Sequence, residues 1–80
     1  MINFKVPTEE DIGRLGYTDG SIIRVRDIKN STVGILFKNY YNEWIFIGKE
    51  GNVETYPTVA EALIENISEG HLDIIKISYL

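Results

Sequence analysis

Trp44-Ile45-Phe46-Ile47-Gly48-Lys49-Glu50-Gly51-Asn52-Val53-Glu54-Thr55-Tyr56 reads as two strands joined by a tight turn. Lys49 and Glu50 suit the middle of a type I turn, and Gly51 supplies the left-handed residue that closes a three-residue hairpin loop. That loop sets Ile47 opposite Val53, Phe46 opposite Glu54, Ile45 opposite Thr55 and Trp44 opposite Tyr56. Side chains alternate along a strand, so a slip of one residue would send each of them to the other face. Turn lengths therefore decide what this chain buries.

Two further turns extend the pattern towards the N-terminus. A three-residue loop at Tyr41-Asn42-Glu43 sets Tyr40 opposite Trp44 and Lys38 opposite Phe46, with Phe37 across from Ile47 on the other side. Turn-prone Asn30-Ser31-Thr32 forms the next loop and sets Val25 opposite Phe37, Arg26 opposite Leu36 and Arg24 opposite Lys38. A loop one residue longer would carry Arg24 and Arg26 onto the apolar face. Burying two unpaired guanidiniums costs far more than a change of turn, so the shorter loop is expected.

Read in this way, residues 21–56 form a four-stranded meander with two unlike faces. Ile23, Val25, Ile35, Phe37, Ile45, Ile47, Val53 and Thr55 make a β-branched and aromatic face, the expected core. Ile22, Arg24, Arg26, Leu36, Lys38, Tyr40, Trp44, Phe46, Glu54 and Tyr56 make the other, with cations interleaved among rings.

A helix should follow, because Tyr56-Pro57 ends the strand, Thr58 can cap, and Glu61 three residues later completes a capping box. Ala60, Leu63, Ile64 and Ile67 recur at helical spacing and should lie on the core face, with Glu61, Glu65 and Glu69 outward and Gly70 as the stop. Residues 72–79 are rich in β-branched residues and read as a strand reached by a crossover. Ile2, Phe4 and Val6 alternate as an N-terminal strand ending at Pro7, and Thr8 to Asp11 repeats the capping pattern for a single helical turn through Ile12. The expected fold is one α+β domain over residues 1–80. It has two layers: a mostly antiparallel sheet, made of the meander plus terminal strands, with one main α-helix on one face.

Eighty residues leave room for one small core, and stability of about 4–12 kcal/mol is expected for a chain of this size. No cysteine is present, which excludes disulfide and thiolate chemistry and fits a reducing compartment. The apolar runs are too short for a signal sequence or a membrane span, so a cytoplasmic place and no membrane partner are expected. Abundant Ile, Asn, Lys, Tyr and Phe beside scarce Ala, Arg and Pro suggest an A+T-rich genome, as in a low-GC bacterium, its phages or its mobile elements.

Catalytic motifs do not emerge. His71 is the sole histidine, and a zinc site would need several His or Cys ligands. Glu9, Glu10 and Asp11 suit the first turn of a helix better than a cation site. Asp27, Glu43 and Glu54 lack the apolar surroundings that would turn a carboxyl into a general acid. Gly13, Gly16 and Gly20 lack the strand-to-helix context and basic residue of a phosphate loop. The expectation is a non-enzymatic chain with no cofactor, no metal and no catalytic residue.

Function should then sit on the ring-and-cation face, with Arg24, Arg26, Lys38, Tyr40, Trp44, Phe46 and Tyr56 as candidate binding residues. Three uses compete for them. They could form a second small core under the terminal strands. They could bind a protein, a second copy included, since Trp, Tyr and Arg dominate interface energetics. Or they could bind nucleic acid or a nucleotide, with bases stacked on Tyr40, Trp44 and Tyr56 and phosphates on the cations, although a net charge of −4 opposes polyanions. The favoured expectation is a small cytoplasmic regulator or inhibitor, encoded by a phage or mobile element, that docks on a larger protein. Nucleic-acid or nucleotide binding is the alternative.

Overall fold

The computed structural model describes residues 6–67 and 69–76. The chain folds as an α+β unit in which α1 (Glu9–Arg14) precedes a meander of β1 (Ile22–Asp27), β2 (Thr32–Lys38), β3 (Trp44–Gly48) and β4 (Val53–Tyr56), followed by α2 (Val59–Asn66) and β5 (Gly70–Ile75). All neighbours in the sheet are antiparallel, in the order β4-β3-β2-β1-β5. α2 thus links the two edges of the sheet, and β5 closes on β1. The strand expected over residues 72–79 lies within β5 up to Ile75, and 77–79 fall outside the described residues. Of the expected N-terminal strand only Val6 is described; it is not part of a strand and packs against the core.

The β3–β4 register is the one that the Gly48–Asn52 turn predicts, from Trp44 opposite Tyr56 to Ile47 opposite Val53. Gly51 takes φ +92°, and the Gly51 amide donates to the Gly48 carbonyl. The other two turns correct the expected register. Between β2 and β3 the loop runs to five residues because the Asn39 side-chain oxygen accepts from the amides of Tyr41 and Glu43, and Asn42 adopts φ +63°. Leu36 therefore meets Phe46 and Lys38 meets Trp44, two residues away from expectation but with the same parity.

The β1–β2 turn changes parity. Asp27 accepts from the amides of Lys29 and Ser31, Asn30 takes φ +69°, and a bulge falls between Val25 and Arg26. Ile23 then pairs with Leu36 and Val25 with Gly34, while Arg24 pairs with Ile35. Ile23 and Val25 join the aromatic residues of β2–β4, and the two arginines join the β-branched ones.

The helices cover the aromatic face, which reverses the expected assignment. Ile23, Val25, Leu36, Trp44, Phe46 and Tyr56 are buried against Ile12 of α1 and against Val59, Ala62, Leu63 and Ile67 at α2, whereas Ile35, Phe37, Ile45 and Ile47 stay partly exposed and Val53 is exposed. Two costs decide this. Covering the other face would desolvate Arg24 and Arg26, and it would leave Trp44 and Phe46 in water, each ring forfeiting about 1.5–3 kcal/mol or more of burial. Gly34 makes the packing possible: a Cβ there would collide with the Ile47 carbonyl and with the Phe46 ring.

α2 starts where expected, with the Thr58 hydroxyl accepting from the Glu61 amide at 3.2 Å, but of the expected capping box only this half is formed. Its buried stripe is Val59, Ala62 and Leu63, so Ile64, expected inside, is 64% exposed. Asn66 sets that rotation, since its side-chain amide donates to the Tyr56 hydroxyl at 3.1 Å and to the Ala62 carbonyl at 2.7 Å. The helix ends at Ile67 in extended conformation, before Gly70. Gly70 instead lets β5 approach β1, because a Cβ there would strike the Arg26 carbonyl. α1 carries the capping box formed by Thr8 and Asp11.

Candidate functional site

Register pairs align the residues of the uncovered face into rows. Val53, Ile47, Ile35, Arg24 and Asp73 follow one another across all five strands. Beside them run Thr55, Ile45 and Phe37, and at the far edge Ile22 lies opposite Ile75. Arg26 faces His71 at the end of β1. The β2–β3–β4 side of this surface is therefore aliphatic and aromatic, and the β1–β5 side carries charge. Among the described residues, no element lies over it: the buried residues of both helices belong to the opposite face.

The charged side is a triad. Arg24 donates from Nε and Nη2 to Asp73 Oδ2 at 3.1 and 2.9 Å. Arg26 donates from Nη2 to Asp73 Oδ1 at 3.1 Å and from Nη1 to Asn30 Oδ1 at 2.9 Å. Its Nε lies 2.7 Å from Asp73 Oδ2, close enough for an ion pair, yet at an angle that leaves this buried N–H without a hydrogen bond. The Asp73 carboxyl is held below its usual range, chiefly by the hydrogen bonds from Arg24; partial burial opposes them and Arg26 reinforces them. Two guanidiniums share one carboxylate, so the face carries a surplus positive charge in a chain whose net charge is −4.

The seven candidate binding residues do not form one site. Trp44 and Phe46 are 1% exposed and Tyr56 is 9% exposed; all three are core. Trp44 donates from its indole to Glu9 Oε1 at 2.8 Å and packs against Tyr17 with ring centroids 5.2 Å apart. Lys38 Nζ sits 5.5 Å from the Trp44 ring centroid and 4.0 Å from Glu9 Oε1, so its charge caps the core edge near α1. Tyr56 donates to Glu54 Oε2 at 2.5 Å, and this hydrogen bond is the main cause that pushes its phenol above the usual value. Burial does the same for Tyr17, whose oxygen accepts from the Lys38 amide. Tyr40 is 95% exposed on the β2–β3 turn, edge-on to Tyr41. Trp44, Phe46 and Tyr56 stay together only as core on the covered face, and Arg24 and Arg26 lie together on the opposite, uncovered one.

Sequence reasoning missed Ile35, Phe37, Ile45, Ile47 and Val53 as surface residues by assigning them to the core. It also missed Asp73 as the partner of the arginines. The available signal was the unbroken apolar run in two strands, Ile35-Leu36-Phe37 and Trp44-Ile45-Phe46-Ile47, which alternation alone does not explain.

His71 is exposed on β5. Among the described residues, no group of three or more His, Cys, Asp or Glu side chains converges to hold a metal ion, and no helix is long and apolar enough to cross a membrane. Comparison with protein-family models, curated proteins and solved structures finds no match.

Proposed function

We propose that this chain is a non-catalytic protein-binding domain whose contact surface is the face of Ile35, Phe37, Ile45, Ile47 and Val53, bordered by Arg24 and Arg26. One observation carries the reading. β2 and β3 are apolar on both faces, a pattern characteristic of strands covered on both sides, yet among the described residues only one side is covered. A contiguous apolar patch rimmed by polar groups marks an interaction surface, and arginine at its border is the cation best suited to one. Small size, the lack of cysteine and the A+T-rich codon signature support a cytoplasmic regulator or inhibitor encoded by a phage or mobile element.

The nucleic-acid alternative has lost its stacking platform, because Trp44 and Tyr56 are enclosed and Tyr40 stands apart on a turn. A photo-crosslinking residue at position 47, compared with one at Glu61 on the far side of α2, tests the reading in host extract. A protein captured from position 47 alone, identified by mass spectrometry and rebinding as a purified pair, is the expected result. Capture at both positions, or at neither, contradicts it.

A further inference from the structure

We infer that the occupant of the uncovered face is an amphipathic helix with an acidic flank, supplied by the partner protein; this deepens the docking reading and rests on it. Neighbouring strands lie about 4.8 Å apart, so the apolar side from β4 to β2 is roughly 10 Å wide and the whole face roughly 20 Å. A single helix about 10–12 Å across covers the apolar side, with its aliphatic stripe on Ile35, Phe37, Ile45 and Ile47. One flank of that helix then lies over β2, from which long side chains reach across the next strand spacing to Arg24 and Arg26 on β1.

Charge decides what the flank carries. Arg24 spends its hydrogen bonds on one oxygen of Asp73 and keeps its side chain 46% exposed, leaving guanidinium N–H groups turned to solvent. Arg26 divides its donors between Asp73 and Asn30. A carboxylate arriving over β1 neutralises the surplus charge and meets donors already held in place by Asp73, whereas a lysine there meets two guanidiniums. A second copy of this chain fits poorly. Face-to-face pairing about a twofold axis lying in the sheet plane sets Arg24 and Arg26 either on the partner's isoleucines or on the partner's own arginines, and both are unfavourable. The protein already contains the complementary element in α2, which lays an apolar stripe on the other face and keeps Glu61 and Glu65 outward.

The test uses two synthetic peptides of about 18 residues, long enough to become helical on contact, with identical leucine stripes and either glutamate or lysine at all other positions. Amide shifts of the labelled protein are followed as each is added. The acidic peptide is expected to bind at least about tenfold more tightly than the basic one and to shift β1, β2 and β3. Arg24→Gln/Arg26→Gln should abolish the preference, and Arg24→Lys/Arg26→Lys, which keeps the charge, should retain part of it. Equal affinity, or preference for the basic peptide, overturns the acidic class and leaves the docking face standing. Shifts on dilution of the protein alone would assign the face to a second copy, and tighter binding of a dT oligonucleotide to nucleic acid; each overturns the inference. If neither peptide binds while position 47 still crosslinks to a protein, the inference fails alone. If position 47 captures nothing, the reading beneath it fails too.

Discussion

The two faces of this sheet carry similar amounts of apolar side chain and meet opposite fates. One holds Leu36, Trp44, Phe46 and Tyr56 with Ile23 and Val25, and both helices pack there. The other holds Ile35, Phe37, Ile45, Ile47 and Val53 and stays open, because β1 contributes Arg24 and Arg26 to it. Hydrophobicity alone does not choose between them. A single strand with two arginines does, since a helix over that side would strip water from guanidiniums that, among the described residues, share the one carboxylate of Asp73.

Substitution tests that contrast most sharply where the faces differ most. Phe46→Ala, in the covered face, should cost about 3–5 kcal/mol, a large share of what a domain this small has, and is read by urea denaturation. Gly34→Ala should cost about 1–3 kcal/mol, because the added methyl meets the Ile47 carbonyl and the Phe46 ring with no free volume. Ile45→Thr, next to Phe46 on the open side, should cost under about 1 kcal/mol, since threonine keeps strand propensity and little burial is lost. A cost for Ile45→Thr equal to that for Phe46→Ala would mean that the open face is covered.

The smallest expected effect is electrostatic. Asp73 has a lowered carboxyl in the folded protein, so its contribution to stability is present above the ordinary carboxylate value and is lost as pH falls from roughly 4 downward. Asp73→Asn should lower stability by a constant amount at neutral and alkaline pH, without changing the slope there, and should flatten the acid limb, as measured by thermal denaturation across pH. An unchanged acid limb would show that the triad is not formed in solution.

The reach of the sequence follows the chemistry of each turn. Gly48–Asn52 places a glycine where a left-handed residue is required, and the register of β3 and β4 follows from it. Thr58 and Glu61 mark the start of α2 just as directly. The two earlier turns are built by side chains: Asn39 and Asp27 each hold two backbone amides, which lengthens the loops in a way that residue propensities do not reveal. The bulge at Val25 and Arg26 then moves a whole strand to the other face. The arginines do stay out of the core, but the face they occupy is the open one, and their partner Asp73 lies 47 residues beyond Arg26, where no local pattern points to it.

One protein reports on both faces at once. The chain has a single tryptophan and no cysteine, so Ile45→Cys introduces a unique thiol beside Trp44, on the opposite side of the same strand. Thiol labelling and acrylamide quenching of the tryptophan are then measured on the folded variant, with the urea-unfolded chain as reference. The account predicts a thiol that is labelled in the folded protein, more slowly than in the unfolded chain, together with tryptophan emission that acrylamide barely reaches. A protected thiol beside a freely quenched Trp44 would contradict it and restore the opposite assignment of faces.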